Sequence, residues 1–416
     1  MPVALPTRED CLARDRADRL ASHRAAFDLP ERVIYLDGNS LGARPKAVGA
    51  RLDQVIEQEW GRDLITSWNR HGWIDLPLRV GDKIARLIGA APGEVAVTDS
   101  TSVNLFKVLA AALRLRPGRR TILSLRDNFP TDLYTAEGVI GVLGNRHRLR
   151  LVEADDVAAA VDGDTAAVLL TQVDYRTGIL LDMAAVTRAA HAAGSLMIWD
   201  LAHSAGALPV DLDAAQADFA VGCGYKYLNG GPGAPAFVFV ARRHHDEFLQ
   251  PLSGWLGHAA PFAFEPSYRP APGIARALCG TPPILSLAAL EVGVDTVLAA
   301  DMADLRAKSM ALGDLFIQLV EGLGGDYLGL SLASPRDADQ RGSQVSFRHA
   351  DAYPVMQALI ARGVIGDFRA PDLLRFGFAP LYVRYVDVFD AAAALIGVLA
   401  SGTWDQPQFK RRAPVT

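Results

Sequence analysis

From about residue 95 the chain alternates short unbroken apolar runs with longer runs of helical spacing. The run VAVT (95–98) reads as a strand. After Ser102, VNLFKVLAAALR sets Val103, Phe106, Leu109 and Ala110 on one face and reads as a helix. TILSL (121–125) predicts the next strand, and FPTD (129–132) leads into a helix through LYTAEGVIGVL. AAVLLT (166–171) is a strand, a helix covers about 183–193, and SLMIWD (195–200) is a further strand. DFAVG and APAFVFV, on either side of GCGYKYLNGGPG (222–233), both read as buried strands. Continuous apolar strands alternating with helices predict an α/β chain with a mostly parallel sheet covered by helices on both faces.

The alternation fades near residue 250. PLSGWLGHAAPFAFEPSYRPAPG is rich in proline, glycine and aromatics and predicts an ordered loop excursion. A long helix is expected from Asp301, with Leu312, Leu315, Phe316, Leu319 and Val320 at helical spacing and Gly324–Gly325 closing it. SQVSFRH, LLRFGFAP and a helix around AAAALIGVLA complete a smaller α+β domain. The expected organisation is therefore an N-terminal segment, 1–60, packing with the small domain, a large domain at 61–300, and the small domain at 301–416.

Composition narrows the partners. The 416 residues carry a net charge of −5 with acids and bases interspersed, which argues against nucleic acid or an anionic membrane as the main partner. No uncharged run is long enough for a membrane span, and the N-terminus has charges where a signal peptide needs an apolar run. The three cysteines, Cys11, Cys223 and Cys279, show no paired spacing, so no disulfide framework or metal site is expected and the setting is a cytoplasmic one.

Ligands of open α/β sheets bind beyond the carboxyl ends of the strands. Polar residues after the predicted strands are Thr101 and Ser102, then 129–132, then Thr171, then Asp200 and His203, then Tyr225–Lys226–Tyr227. Thr101, Ser102 and Asp132 read equally as helix caps or as ligand groups. His203 alone reads first as a structural histidine. Asp200 ends a strongly apolar strand and needs a partner there. Lys226 stands between two strands, where an unpartnered lysine is rare. GPGAPA precedes a strand and not a helix, so it is no dinucleotide fingerprint, and no P-loop, HExxH or GxSxG occurs. Pyridoxal phosphate would use the whole set: a lysine for a Schiff base, a carboxylate for the ring nitrogen, hydroxyls for the phosphate and a flat group over the ring.

The motifs YLDGNSLG (35–42), TSVNLF (101–106), NFPTD (128–132), WDLAHSAGA (199–207), GYKYLNGGPG (224–233), LSGWLGH (252–258), CGTPPI (279–284) and LLRFGFAPLY (373–382) resemble those of the kynureninases. These are fold-type I pyridoxal-phosphate enzymes of tryptophan catabolism. The resemblance covers nearly the whole chain. It implies that Lys226 carries the Schiff base and moves protons, that Asp200 pairs with the ring nitrogen and that Phe129 stacks on the ring. Thr101, Ser102, Pro130, Thr131, Asp132, Thr171 and His203 would line the cofactor. Tyr225 would lie by the phosphate as a candidate proton donor. Trp255 and Thr281 would reach the phosphate from the second subunit of a homodimer with shared active sites. Arg375 would grip the substrate carboxylate, with Ser40, Trp68 and Gly280 near the substrate.

The implied reaction is hydrolysis of kynurenine to anthranilate and alanine, with 3-hydroxykynurenine the poorer substrate because Trp68 offers a hydroxyl only its indole N–H. A cysteine desulfurase-like lyase is the nearest alternative, but none of the three cysteines is an obvious nucleophile. A non-catalytic relative would have lost Lys226, Asp200 or Arg375, and all three are present.

Overall fold

The protein is described as a computed structural model covering residues 5–413. Its contacts divide it into two compact units. One comprises Ala47–Gln172 and Leu181–Leu298, and the other the chain up to Lys46, Val173–Leu180 and the chain from Ala299. Residues 47–60, grouped by sequence with the N-terminal segment, cluster with the larger unit, where Val55 is buried against Trp73 and Ala288.

The larger unit is built on a seven-stranded sheet. Its strands are β1 (Val95–Val97), β2 (Thr121–Leu125), β3 (Arg148–Val152), β4 (Thr165–Thr171), β5 (Leu196–Asp200), β6 (Phe219–Gly222) and β7 (Phe237–Val240). They lie in the order β1-β7-β6-β5-β4-β2-β3. Only β7 runs against its neighbours; β2 to β6 are mutually parallel. Every residue of β4, β5, β6 and β7 is buried, as unbroken apolar strands covered on both faces require. The edge strand β3, RLRLV, lies outside the strands read from the sequence. It alternates arginine with leucine and keeps its charges in water, so it lacks the apolar run that marks the others.

Helices α1 (Leu76–Leu87), α2 (Thr101–Leu115), α3 (Pro130–Val142), α4 (Met183–Ala192) and α5 (Ile284–Leu298) complete this unit. The expected helix after Ser102 is present, but its buried stripe is Leu105, Val108, Leu109 and Ala112; Val103, Phe106 and Ala110 are only half-buried. The segment from 250 to 283 forms an ordered excursion with two short turns, Trp255–Gly257 and Gly273–Ala277.

The other unit has a four-stranded antiparallel sheet of β8 (Ser331–Leu332), β9 (Gln344–Arg348), β10 (Asp367–Arg369) and β11 (Leu373–Gly377), in the order β10-β11-β9-β8. Helix α6 (Met302–Gly322) starts at Asp301, whose carboxylate accepts from the N–H groups of Ala303 and Asp304. It buries Leu312, Leu315, Phe316, Leu319 and Val320, as the spacing predicted. Gly324 follows with φ +88°, the left-handed conformation that ends a helix most cheaply with glycine. Phe316 centres a cluster with Phe347, Phe376 and Phe378. Helices α7 (Ala352–Ile360) and α8 (Tyr385–Ala400) finish the unit. No helix among the described residues is long and apolar enough to cross a membrane.

Candidate active site

The parallel strands deliver their last residues side by side. Thr171 ends β4 and Asp200 ends β5, paired directly across the ladder. β6 ends at Gly222, and Cys223, Gly224, Tyr225 and Lys226 follow at once. A Cβ on Gly224 would stand 2.4 Å from the carbonyl oxygen of Pro235, so only glycine allows this approach. The turn closes behind the lysine as Asn229 N–H donates to the Lys226 carbonyl at 2.9 Å.

Asp200 and Asp132 are each only 2 % exposed and are hydrogen-bonded to one another. Asp132 sits in the first turn of α3. It is not a cap, because its side chain points inward, where Thr171 Oγ1 donates to it at 3.3 Å. Ala202 N–H donates to Asp200 Oδ1 at 2.7 Å. Burial pushes Asp132 well above the usual carboxyl range, and the charge of Asp200 pushes it further. Burial raises Asp200 too, but Lys226, the Ala202 N–H and the Asp132 hydrogen bond all favour its charged form. Asp200 still ends above its ordinary range, but less so than Asp132, so Asp132 is the readier proton holder of the pair and Asp200 the readier carboxylate. Asn128, in the quoted motif but not among the expected site residues, braces this corner: its Oδ1 accepts from Thr171 N–H at 3.1 Å, and its Nδ2 donates to Ser124 Oγ at 3.2 Å and to Asp132 Oδ2 at 3.5 Å.

At the end of β1 the helix cap is neither Thr101 nor Ser102. Ser100 caps α2, accepting from Val103 N–H, and Thr101 and Ser102 lie in the first turn. Asp99, at φ +50°, is held by an ion pair with Lys107. Lys107 is completely buried and also donates to the Ala277 carbonyl at 2.7 Å, tying this turn to the segment that leads to Gly280 and Thr281. Phe129 and Pro130 open α3, with Phe129 37 % exposed. His203 is buried just after Asp200. Lys226 Nζ lies 6.0 Å from the centre of the Tyr225 ring.

Trp255 is exposed, packs on Phe262 and Phe264, and donates its indole N–H to the Pro261 carbonyl. Gly280 and Thr281 are exposed on the same excursion. Trp68 packs edge-on against Trp73 with ring centres 5.9 Å apart.

The smaller unit brings Arg375 and Ser40 together. Arg375, on β11, faces Asp367 across the ladder. It is 1 % exposed and grips both oxygens of Asp367, with Nε to Oδ1 at 2.7 Å. Its Nη2 donates to Ser40 Oγ at 2.8 Å and its Nη1 to the Tyr175 carbonyl at 2.6 Å. Four of its five N–H bonds are thereby engaged. Arg369 Nη2 joins at 2.6 Å to Asp367. Burial would raise Asp367, but Arg375 and Arg369 outweigh it and hold the carboxyl below its ordinary range. Asp37 is pushed up to about 7 by burial and then by Asp367. Asp367, Arg369 and Asp37 were not expected from sequence. Their part is to hold Arg375 and Ser40, and that shows only once the β10–β11 register is known.

Similar proteins give this arrangement a family. A family model described as the kynureninase C-terminal domain matches residues 305–395. A kynureninase of Burkholderia pseudomallei (strain 1106a) is 57 % identical, the match covering 99 % of this chain and all of the relative. One of Pseudomonas fluorescens is 56 % identical with the same coverage. Among solved structures, the apo cysteine desulfurase of Thermococcus onnurineus NA1 superposes with a TM-score of 0.76 at 20 % identity, covering 91 % of this chain and 98 % of that one. The cystine C-S lyase C-DES in complex with cysteine persulfide gives 0.73 at 18 %, covering 89 % and 98 %. At such low identity these two carry the fold alone: the α/β architecture read from the strand pattern, of the fold type that the resemblance implied. Identity above half over the full length carries more: the chain belongs to the kynureninase family.

Proposed function

We propose that the protein is a kynureninase using pyridoxal 5'-phosphate, cleaving L-kynurenine to anthranilate and L-alanine, with 3-hydroxykynurenine the poorer substrate. The observation that carries the reading is the buried Asp132–Asp200 pair, Asp132 in the first turn of α3 and Asp200 at the end of β5, with Lys226 after the neighbouring strand β6. A carboxylate so deep in the protein is stable only beside a cation, and a protonated ring nitrogen fits that need. The same fold in a solved relative is described with a PLP cofactor. The cofactor, when bound, supplies the electron sink for the carbanion formed at the substrate Cα.

The chain's own groups do the rest. Asp200 holds the ring-nitrogen proton, kept anionic by the hydrogen bond from Asp132. Thr101 and Ser102, with the N–H groups opening α2, hold the phosphate. Phe129 and His203 flank the ring, and Pro130, Thr131 and Thr171 line it. Lys226 Nζ is the attachment point and, as a free amine, takes the Cα proton. The Tyr225 hydroxyl, beside it, donates a proton to the carbon released when water has added to the γ-carbonyl and the Cβ–Cγ bond breaks. Arg375 and Ser40 recognise the substrate carboxylate, and Trp68 and Gly280 the aryl group. Trp255 and Thr281, both exposed, act on the phosphate of a second copy in a homodimer. A holoenzyme that sediments as a monomer would refute that assignment. The setting is cytoplasmic.

The test is product analysis on the cofactor-loaded protein. Anthranilate and alanine should form from kynurenine in equal amounts. Sulfide released from cysteine, with no anthranilate from kynurenine, would place the chain with the desulfurases instead.

A further inference from the structure

The larger unit carries a cleft of about 960 Å³ that shares no residue with the Asp132–Asp200–Lys226 cluster. Its walls include Arg114, Arg119, Arg120, Arg146, Arg276 and His147, and no carboxylate. Arg119 and Arg120 precede β2, and Arg146 and His147 precede β3. The cleft therefore opens at the amino ends of these strands, opposite the carboxyl ends that carry Thr171 and Asp200.

Such a concentration of positive charge stands out in a chain with 47 acidic and 42 basic residues. None of the five guanidinium groups forms an ion pair among the described residues. Arg276, only 7 % exposed, donates only to the carbonyls of Ala271, Asp246 and Phe248, and its Nη2 has no hydrogen-bond partner. Arg119 likewise donates to the carbonyls of Thr165 and Ala193. Arg114, Arg120 and Arg146 are exposed and their side chains make no hydrogen bond. Asp164 accepts from the backbone N–H of Arg120 and is paired with Arg148, which is not part of the cleft wall. His147 Nδ1 is buried with no partner. Leu113, Leu143 and Phe248 supply an apolar wall.

Like charges gathered in one concavity repel and raise the local concentration of anions. Carbonyl-held guanidinium groups leave their charge uncancelled, and their fork geometry suits phosphate and carboxylate. We propose that this cleft is a second ligand site, binding a small organic polyanion: two or more phosphates or carboxylates on an apolar or aromatic body.

The probe is ATP, titrated calorimetrically at low salt into the holoenzyme, in which the cofactor already fills its own phosphate site. Saturable binding is expected, at about one ATP per chain for a single cleft. The variant Arg114→Ala/Arg120→Ala/Arg146→Ala, altered only at exposed residues, should bind at least about tenfold more weakly, from the loss of three charge-assisted contacts. Its cofactor spectrum and its activity without ATP should be those of the parent protein. Absence of saturable binding would overturn the proposal, including the case of a cleft closed by a second copy of the chain. So would unchanged affinity in the triple variant, or ATP binding that displaces the cofactor.

Discussion

At the residue scale the chemistry turns on two carboxyl groups with different protonation. Asp132 and Asp200 are equally buried and both feel the charge of Lys226, yet only Asp200 also accepts from the Ala202 N–H and from its partner carboxyl. Asp200→Asn removes the anion and should lower kcat for kynurenine about 100-fold or more, the scale of losing a preorganised charge contact. Asp132→Asn keeps a hydrogen-bond donor and should cost much less; steady-state kinetics on the two variants separates them. Lys226, Asp200 and Thr171 were legible in the sequence because each ends or follows an apolar strand. Asp132 and Thr101 were legible only as alternatives, since a cap and a ligand group look alike until a neighbouring residue is seen to cap the helix. Asn128, Asp37, Asp367 and Arg369 were not legible. They act by holding other side chains, and long-range register brings them there.

At the element scale the unbroken apolar strands were readable and their charged edge was not. β3 reads as polar because half of it faces water, and the half-buried face of α2 has the same spacing as its buried one. Asp218, just before β6, shows how such elements are fastened. Its carboxylate accepts from Met197 N–H on β5 at 2.7 Å, from Arg243 at 2.8 Å, and meets His191, at the end of α4, and His244 at 2.7 Å each. Burial alone would raise its pKa, but His191, His244, Met197 and Arg243 together hold it far below the usual carboxylate range. A depressed folded-state pKa stabilises the protein above the unfolded pKa of about 4, and that contribution fades as pH falls below it. Asp218→Ala should therefore cost about 3–5 kcal/mol at pH 7, the range for breaking a buried pair. The gap to the parent protein should narrow below about pH 4. Denaturant unfolding across pH checks both, and a gap that widens in acid would contradict the argument.

At the scale of the whole molecule, lysine is used sparingly. The chain has six lysines among its 42 basic residues. Lys107 and Lys308 are buried in ion pairs with Asp99 and Asp18, Lys83 and Lys410 pair at the surface, and Lys46 is exposed. Lys226 alone follows a strand of the large sheet, beside the buried carboxylates. This economy makes the central claim directly measurable. Borohydride reduction of the holoenzyme, followed by digestion and mass spectrometry, should find the cofactor's mass on the peptide containing Lys226, with kynurenine cleavage lost in proportion to labelling. Labelling of a different lysine, or cleavage that survives full labelling of Lys226, would contradict the account.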